Sequence, residues 1–300
     1  MPQITANGIP LEYDIHGPET GEPILLIMGL GAQMTAWQPE FYRRLADQGF
    51  RVILFDNRDV GLSEKLDHAG APDLGAVVTA VREGKPAPVA YTLDDMAADA
   101  AGLLEALGVE RAHIVGASMG GMIAQLVAAN HPERTLSLTS IMSTTGNPDL
   151  PRAKPEAMAF LSNRGPDPRE DLEGFLQNAV ASNKVMGSPA YPADPAVVRA
   201  NAQSNFERSF YPVGFQRHYA AITASPDRRP KLAKLNTPTV VIHGEADPLV
   251  PVEGGHDTAA HVPGAELVTI PGMGHDLPPA VHAQVADAIL RAVERARVAV

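Results

Sequence analysis

The chain contains 300 residues, of which 45% are hydrophobic and 20% are charged, and its formal net charge is −11. This length is enough for a full hydrophobic core, and the negative charge argues against nucleic acids and anionic membrane surfaces as partners, since both favour basic patches. The absence of cysteine excludes disulfides, thiolate catalysis and cysteine metal sites. The first residues lack the basic and apolar segments of a secretory signal, and no stretch approaches about 18 uninterrupted apolar residues, so we expect a cytoplasmic protein with no membrane partner.

Strand and helix patterns alternate along the first half of the chain. An Asn7-Gly8 turn predicts a first hairpin between residues 3–5 and 11–16. Strands are then predicted at 23–28, 51–55, 112–116 and 135–142, and helices near 38–48, 93–107 and 119–130. Such alternation indicates an α/β fold with a mostly parallel sheet and helices on both of its faces.

This alternation stops after residue 145 and resumes at Thr239. The intervening residues are rich in proline and in helix formers. We therefore predict a core of residues 1–145 and 231–300 and a helical cap of residues 146–230, inserted after the sixth strand. A second segment rich in glycine and proline, residues 69–90, either forms a flap over a pocket or lies on the surface.

A candidate nucleophile, Ser118, lies in the sequence Gly116-Ala117-Ser118-Met119-Gly120, between a strand pattern and a helix pattern. A Gly-x-Ser-x-Gly turn in this context holds the serine in a strained conformation and exposes its hydroxyl, because the two glycines let the strand and the helix approach closely. The alternative is a buried turn serine with no chemical role.

An activated serine needs a base and an acid further along the chain, each after the end of a strand. Asp247 follows the β-branched run 239–244 and is the predicted acid. His275 follows the strand pattern 266–270 and is the predicted base. Competing candidates are His243, His256 and His261 for the base, and Glu245 and Asp276 for the acid.

Acyl chemistry also requires hydrogen-bond donors for the oxyanion of the tetrahedral intermediate. The backbone N–H of Met119, directly after the serine, is one predicted donor. The backbone N–H of Leu30, in the glycine loop that follows strand 23–28, is the other. This loop lacks the third glycine of a dinucleotide motif and the lysine of a P-loop, so a nucleotide site is not expected.

These features together resemble the α/β-hydrolase superfamily, and the resemblance extends along nearly the whole chain. Residues 56–63 are similar to the family's D-x-R-G-x-G-x-S loop, although Asp59 replaces the usual glycine, and Met28 replaces the histidine common before Gly29. Residues 27–33, Trp37 and residues 91–99 are similar to bacterial carboxylesterases related to the aclacinomycin methylesterases, and Trp37 matches cofactor-free haloperoxidases. The resemblance implies an eight-stranded sheet flanked by helices, with an inserted cap.

The predicted substrate pocket lies beside the predicted chemistry. Met28, Gly29 and Trp37 are its candidates in the core, and Phe206 and Phe210 are its candidates in the cap. Apolar and aromatic side chains typically hold the non-reacting part of a ligand. The alternative is that the aromatic rings of the cap form a small core of their own.

The sequence therefore predicts a carboxylic ester hydrolase that acts on short to medium acyl esters or methyl esters through an acyl-enzyme, without a metal or an organic cofactor. One alternative is a cofactor-free haloperoxidase or perhydrolase that uses the same residues. Another is a ligand receptor on the same fold. The expected partner is a small-molecule ester, and the sequence leaves the oligomeric state open, a homo-oligomer included.

Overall fold

The structure, a computed structural model, describes residues 2–163 and 165–298; the predicted core and cap also include residues 1, 164, 299 and 300, which lie outside the described residues. One sheet of eight strands forms the centre of the molecule. Its strands are β1 (Gln3–Ala6), β2 (Ile9–His16), β3 (Pro23–Ile27), β4 (Arg51–Phe55), β5 (Ala112–Ala117), β6 (Thr135–Ile141), β7 (Thr239–Gly244) and β8 (Glu266–Ile270).

The strand order across the sheet is β1-β2-β4-β3-β5-β6-β7-β8. Strands β3 to β8 pair in parallel, whereas β1 and β2 form an antiparallel hairpin and β2 also pairs antiparallel with β4. Strand β3 has β4 on one side and β5 on the other, so the chain changes direction across the sheet at this point. In open parallel sheets, the crevice at the carboxyl ends of such neighbouring strands is where ligands bind.

Helices cover both faces of the sheet. The helices before β6 are α1 (Pro39–Ala46), α2 (Leu74–Arg82), α3 (Leu93–Ala106) and α4 (Met119–Asn130), and those after β7 are α10 (Glu253–His261) and α11 (His282–Val298). The apolar side chains of α1 and α11 pack on one face, and those of α3 and α4 pack on the other. The predicted α/β fold, with an eight-stranded, mostly parallel sheet flanked by helices, is thus confirmed.

Five helices lie between β6 and β7: α5 (Pro155–Ser162), α6 (Leu172–Met186), α7 (Pro195–Arg208), α8 (Pro212–Ala224) and α9 (Arg229–Leu232). Residues 69–90, all of which the structure describes, contain α2, which packs against α8, and none of them lines the cavity beside Ser118. This segment is therefore a surface excursion that supports α8. The division into core and cap stays a prediction.

In the part of the chain that the structure describes, no helix is both long enough and apolar enough to cross a membrane.

Candidate active site

Ser118 occupies a sharp turn between β5 and α4, with φ of 57° and ψ of −121°. Close backbone contacts leave no room for a side chain at Gly116 or at Gly120. A Cβ atom on Gly116 would lie 1.9 Å from the carbonyl oxygen of Gly120, and one on Gly120 would lie 2.1 Å from that of Ile27. The positive φ of a non-glycine residue is the strained conformation that the sequence pattern predicts, and it places the hydroxyl at the carboxyl end of the sheet.

Ser118, His275 and Asp247 form a continuous chain of hydrogen bonds. The Oγ atom of Ser118 lies 2.9 Å from Nε2 of His275, and Nδ1 of His275 lies 2.7 Å from Oδ2 of Asp247. Because a carboxylate only accepts, Nδ1 carries the proton and Nε2 is free to accept the proton of the serine hydroxyl. The three residues come from the loops after β5, β7 and β8.

The carboxylate of Asp247 is buried and fully engaged. Its Oδ1 accepts the backbone N–H groups of Leu249 and Val250 at 2.9 and 2.8 Å, and Oδ2 faces His275. Burial alone would raise the pKa of this carboxyl, but the neighbouring His275 and His243 outweigh burial and hold its pKa well below the ordinary value. Asp247 is therefore ionised at neutral pH and can orient His275.

The competing acids and bases have other partners. His243 donates from Nε2 to the backbone oxygen of Val250 at 2.8 Å and lies 3.6 Å from Asp247, so it supports the acid rather than reaching Ser118. The carboxylate of Glu245 accepts from Thr269, and that of Asp276 accepts from Ser188. His256 and His261 lie on α10 and do not line the cavity beside Ser118.

The loop after β3 lies directly against the nucleophile. A Cβ atom on Gly29 would be 3.2 Å from Cβ of Ser118 and 3.6 Å from its Oγ. The loop is a β-turn in which the N–H of Ala32 donates to the carbonyl oxygen of Gly29 at 3.2 Å. Within the described residues, the N–H groups of Leu30 and Met119 have no hydrogen-bond acceptor. Both predicted oxyanion donors are therefore available to a ligand.

Several side chains hold this loop in place. Asn57 donates to the backbone oxygen of Met28 at 2.9 Å, and Asp56 accepts the N–H of Met34 at 2.7 Å. From helix α8, the Nδ1 atom of His218 accepts the N–H of Gly31 at 3.2 Å. No sequence motif surrounds His218, and its contact with Gly31 joins residues far apart in the chain, so the local sequence does not indicate this role.

A cavity of about 1040 Å³ opens beside Ser118 and His275. Most of its lining is apolar, and it includes the predicted pocket residues Met28 and Gly29 together with Leu30. The acidic residues in its lining are Asp194 and Asp276, and no lysine or arginine of the described residues contributes. The cavity is thus suited to a largely apolar, uncharged ligand.

Three predicted pocket residues lie elsewhere. Trp37 is buried beneath the loop, where its ring stacks on Phe41 at 5.4 Å between centroids, and it does not line the cavity beside Ser118. Phe206 and Phe210 pack on each other and on Phe175, and they line a second cavity of about 630 Å³. Both rings thus pack against α6 and do not line the cavity beside Ser118.

Among the described residues, no group of three or more histidine, aspartate or glutamate side chains is placed to hold a metal ion. A hydroxyl with a base within hydrogen-bond reach, an oriented base and two free N–H groups together suit nucleophilic attack on a carbonyl carbon.

Comparison with known proteins gives a family and several relatives. A family model described as alpha/beta hydrolase fold matches residues 22–278. The chain is 30% identical to rhodomycin D methylesterase DauP of Streptomyces sp. (strain C5), over 95% of each chain. It is 29% identical to a 2-hydroxy-6-oxononadienedioate/2-hydroxy-6-oxononatrienedioate hydrolase of Paraburkholderia phymatum, over 88% of this chain and 85% of that protein.

A third relative is "Putative non-heme bromoperoxidase BpoC" of Mycobacterium tuberculosis, which is 26% identical over 89% of this chain and 91% of that protein. Its crystal structure matches 94% of this chain and 96% of its own, with a TM-score of 0.67 and 24% identity. This structural likeness extends the agreement in fold over nearly the whole chain.

Proposed function

Since the chain belongs to the alpha/beta hydrolase family, we propose that it is a serine hydrolase that cleaves carboxylic esters through an acyl-enzyme. The relationship to methylesterases supports ester hydrolysis as the reaction class. Ser118 is the proposed nucleophile, His275 the base and Asp247 the residue that orients the base. The N–H groups of Leu30 and Met119 are the proposed oxyanion donors.

The observation that carries the proposal is the unbroken hydrogen-bond chain from Ser118 through His275 to Asp247, with distances of 2.9 and 2.7 Å. A serine hydroxyl is a weak nucleophile until a base removes its proton. The buried, ionised Asp247 fixes the tautomer in which Nε2 can act as that base.

The proposed reaction has two halves. Oγ of Ser118 attacks the ester carbonyl carbon while its proton passes to Nε2 of His275, and the resulting oxyanion accepts the N–H groups of Leu30 and Met119. The bond to the alcohol oxygen then breaks, and His275 gives the alcohol its proton. Water next attacks the acyl carbon, its proton passes to His275, and the bond to Oγ breaks, returning the proton to Ser118.

The cavity favours a neutral ester with an apolar acyl group. The Paraburkholderia relative is named as a hydrolase of two dioates, which are dicarboxylates. In this chain a dicarboxylate would meet Asp194 and Asp276 without a lysine or arginine from the described residues to offset the repulsion. A methyl ester of a bulky apolar acid, or an ester of a short to medium acyl chain, fits the lining better. The expected partner is thus a small-molecule ester.

The direct test is steady-state hydrolysis of p-nitrophenyl esters from acetate to laurate, together with release of methanol from methyl esters of aromatic acids. We expect turnover by the wild type, loss of turnover in Ser118→Ala, and no change in Ser204→Ala, which makes the same change at an exposed position on α7. Activity should persist in the presence of a chelator, because the proposed steps use no metal. Equal activity in the two variants would contradict the proposal.

The relationship to BpoC supports one alternative, the formation of peracids. In that reaction hydrogen peroxide replaces water at the acyl-enzyme, and the released peracid oxidises bromide. We expect this as a side activity of the same Ser118. Bromination that depends on acetate and proceeds as fast as ester hydrolysis would make it the main function instead.

A further inference from the structure

Helix α8 places a fully buried histidine, His218, against the loop that carries the proposed oxyanion donor. Its Nδ1 lies 3.2 Å from the backbone nitrogen of Gly31, and its Nε2 lies 2.7 Å from the backbone oxygen of Arg58. The ring therefore bridges two loops of the sheet, one after β3 and one after β4, from a helix in the segment between β6 and β7.

The two contacts together define the state of the ring. A backbone oxygen only accepts, so Nε2 carries a proton and donates it to Arg58. The N–H of Gly31 only donates, so Nδ1 is unprotonated and accepts. His218 is thus neutral, with one ring nitrogen assigned to each loop. This division lets the two contacts be removed separately.

The contact with Gly31 fixes a peptide plane next to the oxyanion donor. Leu30 and Gly31 are the central residues of the β-turn closed by Ala32 and Gly29. Gly31 has φ of +62°, the conformation of the third residue in a type II turn. Type I and type II turns differ by a flip of the peptide between the two central residues, which here is the peptide that bears the N–H of Gly31. The bond to His218 holds that peptide in one orientation and so limits the backbone of Leu30.

Helix α8 is itself anchored where it meets the core. Arg217 forms a two-pronged ion pair with Asp59, at 2.7 and 2.8 Å, and both side chains are buried. Phe215, three residues before His218 and on the same side of the helix, lies so close to Gly31 that a Cβ atom there would be 2.6 Å from its ring. These contacts of α8 therefore hold Nδ1 of His218 in a fixed position next to the N–H of Gly31.

We propose that His218 is a positioning residue for the oxyanion site, holding the N–H of Leu30 in the direction required for the tetrahedral intermediate. The inference rests on the proposed ester hydrolysis. It makes the segment between β6 and β7 part of the catalytic apparatus, in addition to any role in binding the substrate.

Two substitutions separate the contacts of His218. In His218→Asn, the side-chain Oδ1 takes the place of Nδ1 and can still accept the N–H of Gly31, while the contact with Arg58 is lost. In His218→Gln, the terminal amide nitrogen takes the place of Nε2 and can still donate to Arg58, while the acceptor for Gly31 is lost. The variants are compared by stopped-flow acylation with p-nitrophenyl butyrate, by steady-state kinetics and by hydrogen exchange of the Gly31 amide.

We expect His218→Gln to slow acylation by about 10- to 100-fold, less than the effect of deleting an oxyanion donor outright, because the donor is misdirected rather than removed. The KM should change little, and the Gly31 amide should lose protection. In His218→Asn, acylation should stay within about fivefold of the wild type and the Gly31 amide should stay protected. A merely structural role would lower stability in both variants and leave no difference between them in kcat.

Equal acylation rates in the two variants, or faster acylation in His218→Gln, would overturn the inference. If the wild type shows no hydrolysis that depends on Ser118, the proposed function fails and the catalytic part of the inference fails with it. Amide exchange would then still decide whether His218 holds the loop, so the two failures are distinguishable.

Discussion

Replacing Asp247 by asparagine should disable the base while leaving the fold intact. Oδ1 of Asp247 accepts two backbone N–H groups, from Leu249 and Val250, so the amide oxygen of the asparagine must occupy this position. The amide NH₂ is then forced to face Nδ1 of His275. Because NH₂ only donates, the ring proton must move to Nε2, which then faces Ser118 and can no longer accept its proton.

The size of the effect follows from this change of tautomer. A histidine with its proton on the wrong nitrogen loses general-base catalysis, and an equivalent substitution in a serine-histidine-aspartate triad lowers kcat by about 10⁴. This factor corresponds to about 5 kcal/mol of transition-state stabilisation. The two backbone contacts of the loop survive in the variant, so its thermal stability should change much less than its activity.

Asp276→Asn is the matched control, since Asp276 follows His275 directly and lines the same cavity but bonds to Ser188. An asparagine oxygen at this position can still accept the hydroxyl of Ser188, so the substitution keeps this contact. The assay is kcat/KM with one p-nitrophenyl ester at pH 7 to 8, with thermal unfolding of both variants. Retention of more than about a hundredth of wild-type activity in Asp247→Asn, or an equal loss in Asp276→Asn, would contradict the role assigned to Asp247.

Three further outcomes concern stability. Gly120→Ala should lower the free energy of unfolding by about 3 kcal/mol, because the added Cβ would lie 2.1 Å from a backbone oxygen of β3. Gly108→Ala should lower it by only about 1 kcal/mol, because the space around Gly108 is open. Both variants are measured by urea unfolding, and equal losses would show that the close contact at Gly120 is not the cause. Burial lowers the pKa of His218 to about 4 against the opposing bond to a backbone oxygen, so between pH 6.5 and 4 the unfolded chain takes up a proton that the folded protein does not, and this group lowers stability by about 3 kcal/mol as the pH falls. Burial also lowers the pKa of His113 and His282, which act in the same direction in every variant. Urea unfolding at pH 7 and 4.5 should therefore show a smaller loss in His218→Asn than in the wild type, and equal losses would contradict the prediction. Arg217→Met should lower the free energy of unfolding by about 3–5 kcal/mol, since it leaves the buried carboxylate of Asp59 without its cation. If urea unfolding shows a decrease of less than about 1 kcal/mol, Asp59 has another partner that replaces Arg217.

The sequence predicts the sheet and the positions of the chemistry because both depend on local pattern. Strand periodicity places residue 118 after β5, residue 247 after β7 and residue 275 after β8, and parallel strands bring their carboxyl ends to one edge. The structure places His275 within hydrogen-bond distance of both Ser118 and Asp247 along this edge. Their catalytic roles stay a prediction until turnover is measured.

The pocket is less predictable, since the direction of a side chain depends on contacts that the local pattern does not contain. Trp37 follows the oxyanion loop closely in sequence, yet its ring turns inward onto Phe41. Phe206 and Phe210 pack against each other and do not line the cavity beside Ser118. Sequence position indicates that a residue is near the site, but not which way its side chain points.

Asp59, which departs from the family pattern, is likewise explained by a contact with a residue far away in the sequence. The family's usual glycine matches the positive φ of 64° at this position, which Asp59 adopts at some cost in strain. Its carboxylate pairs with Arg217 of α8 and accepts the N–H of Leu66 at 2.8 Å. The local sequence shows the unusual residue, and only the three-dimensional structure shows its partner.

The anchoring of α8 bears on how this protein can change its substrate range. The segment between β6 and β7 supplies much of the cavity wall, so exchanging it for that of a relative would be an obvious way to obtain new specificity. Such a chimaera would also lose the partner of Asp59 and the acceptor for Gly31. A chimaera that keeps residues 215, 217 and 218 together with the core would retain both contacts, so the helices before α8 are the part of this wall that can be exchanged without disturbing the loop after β3.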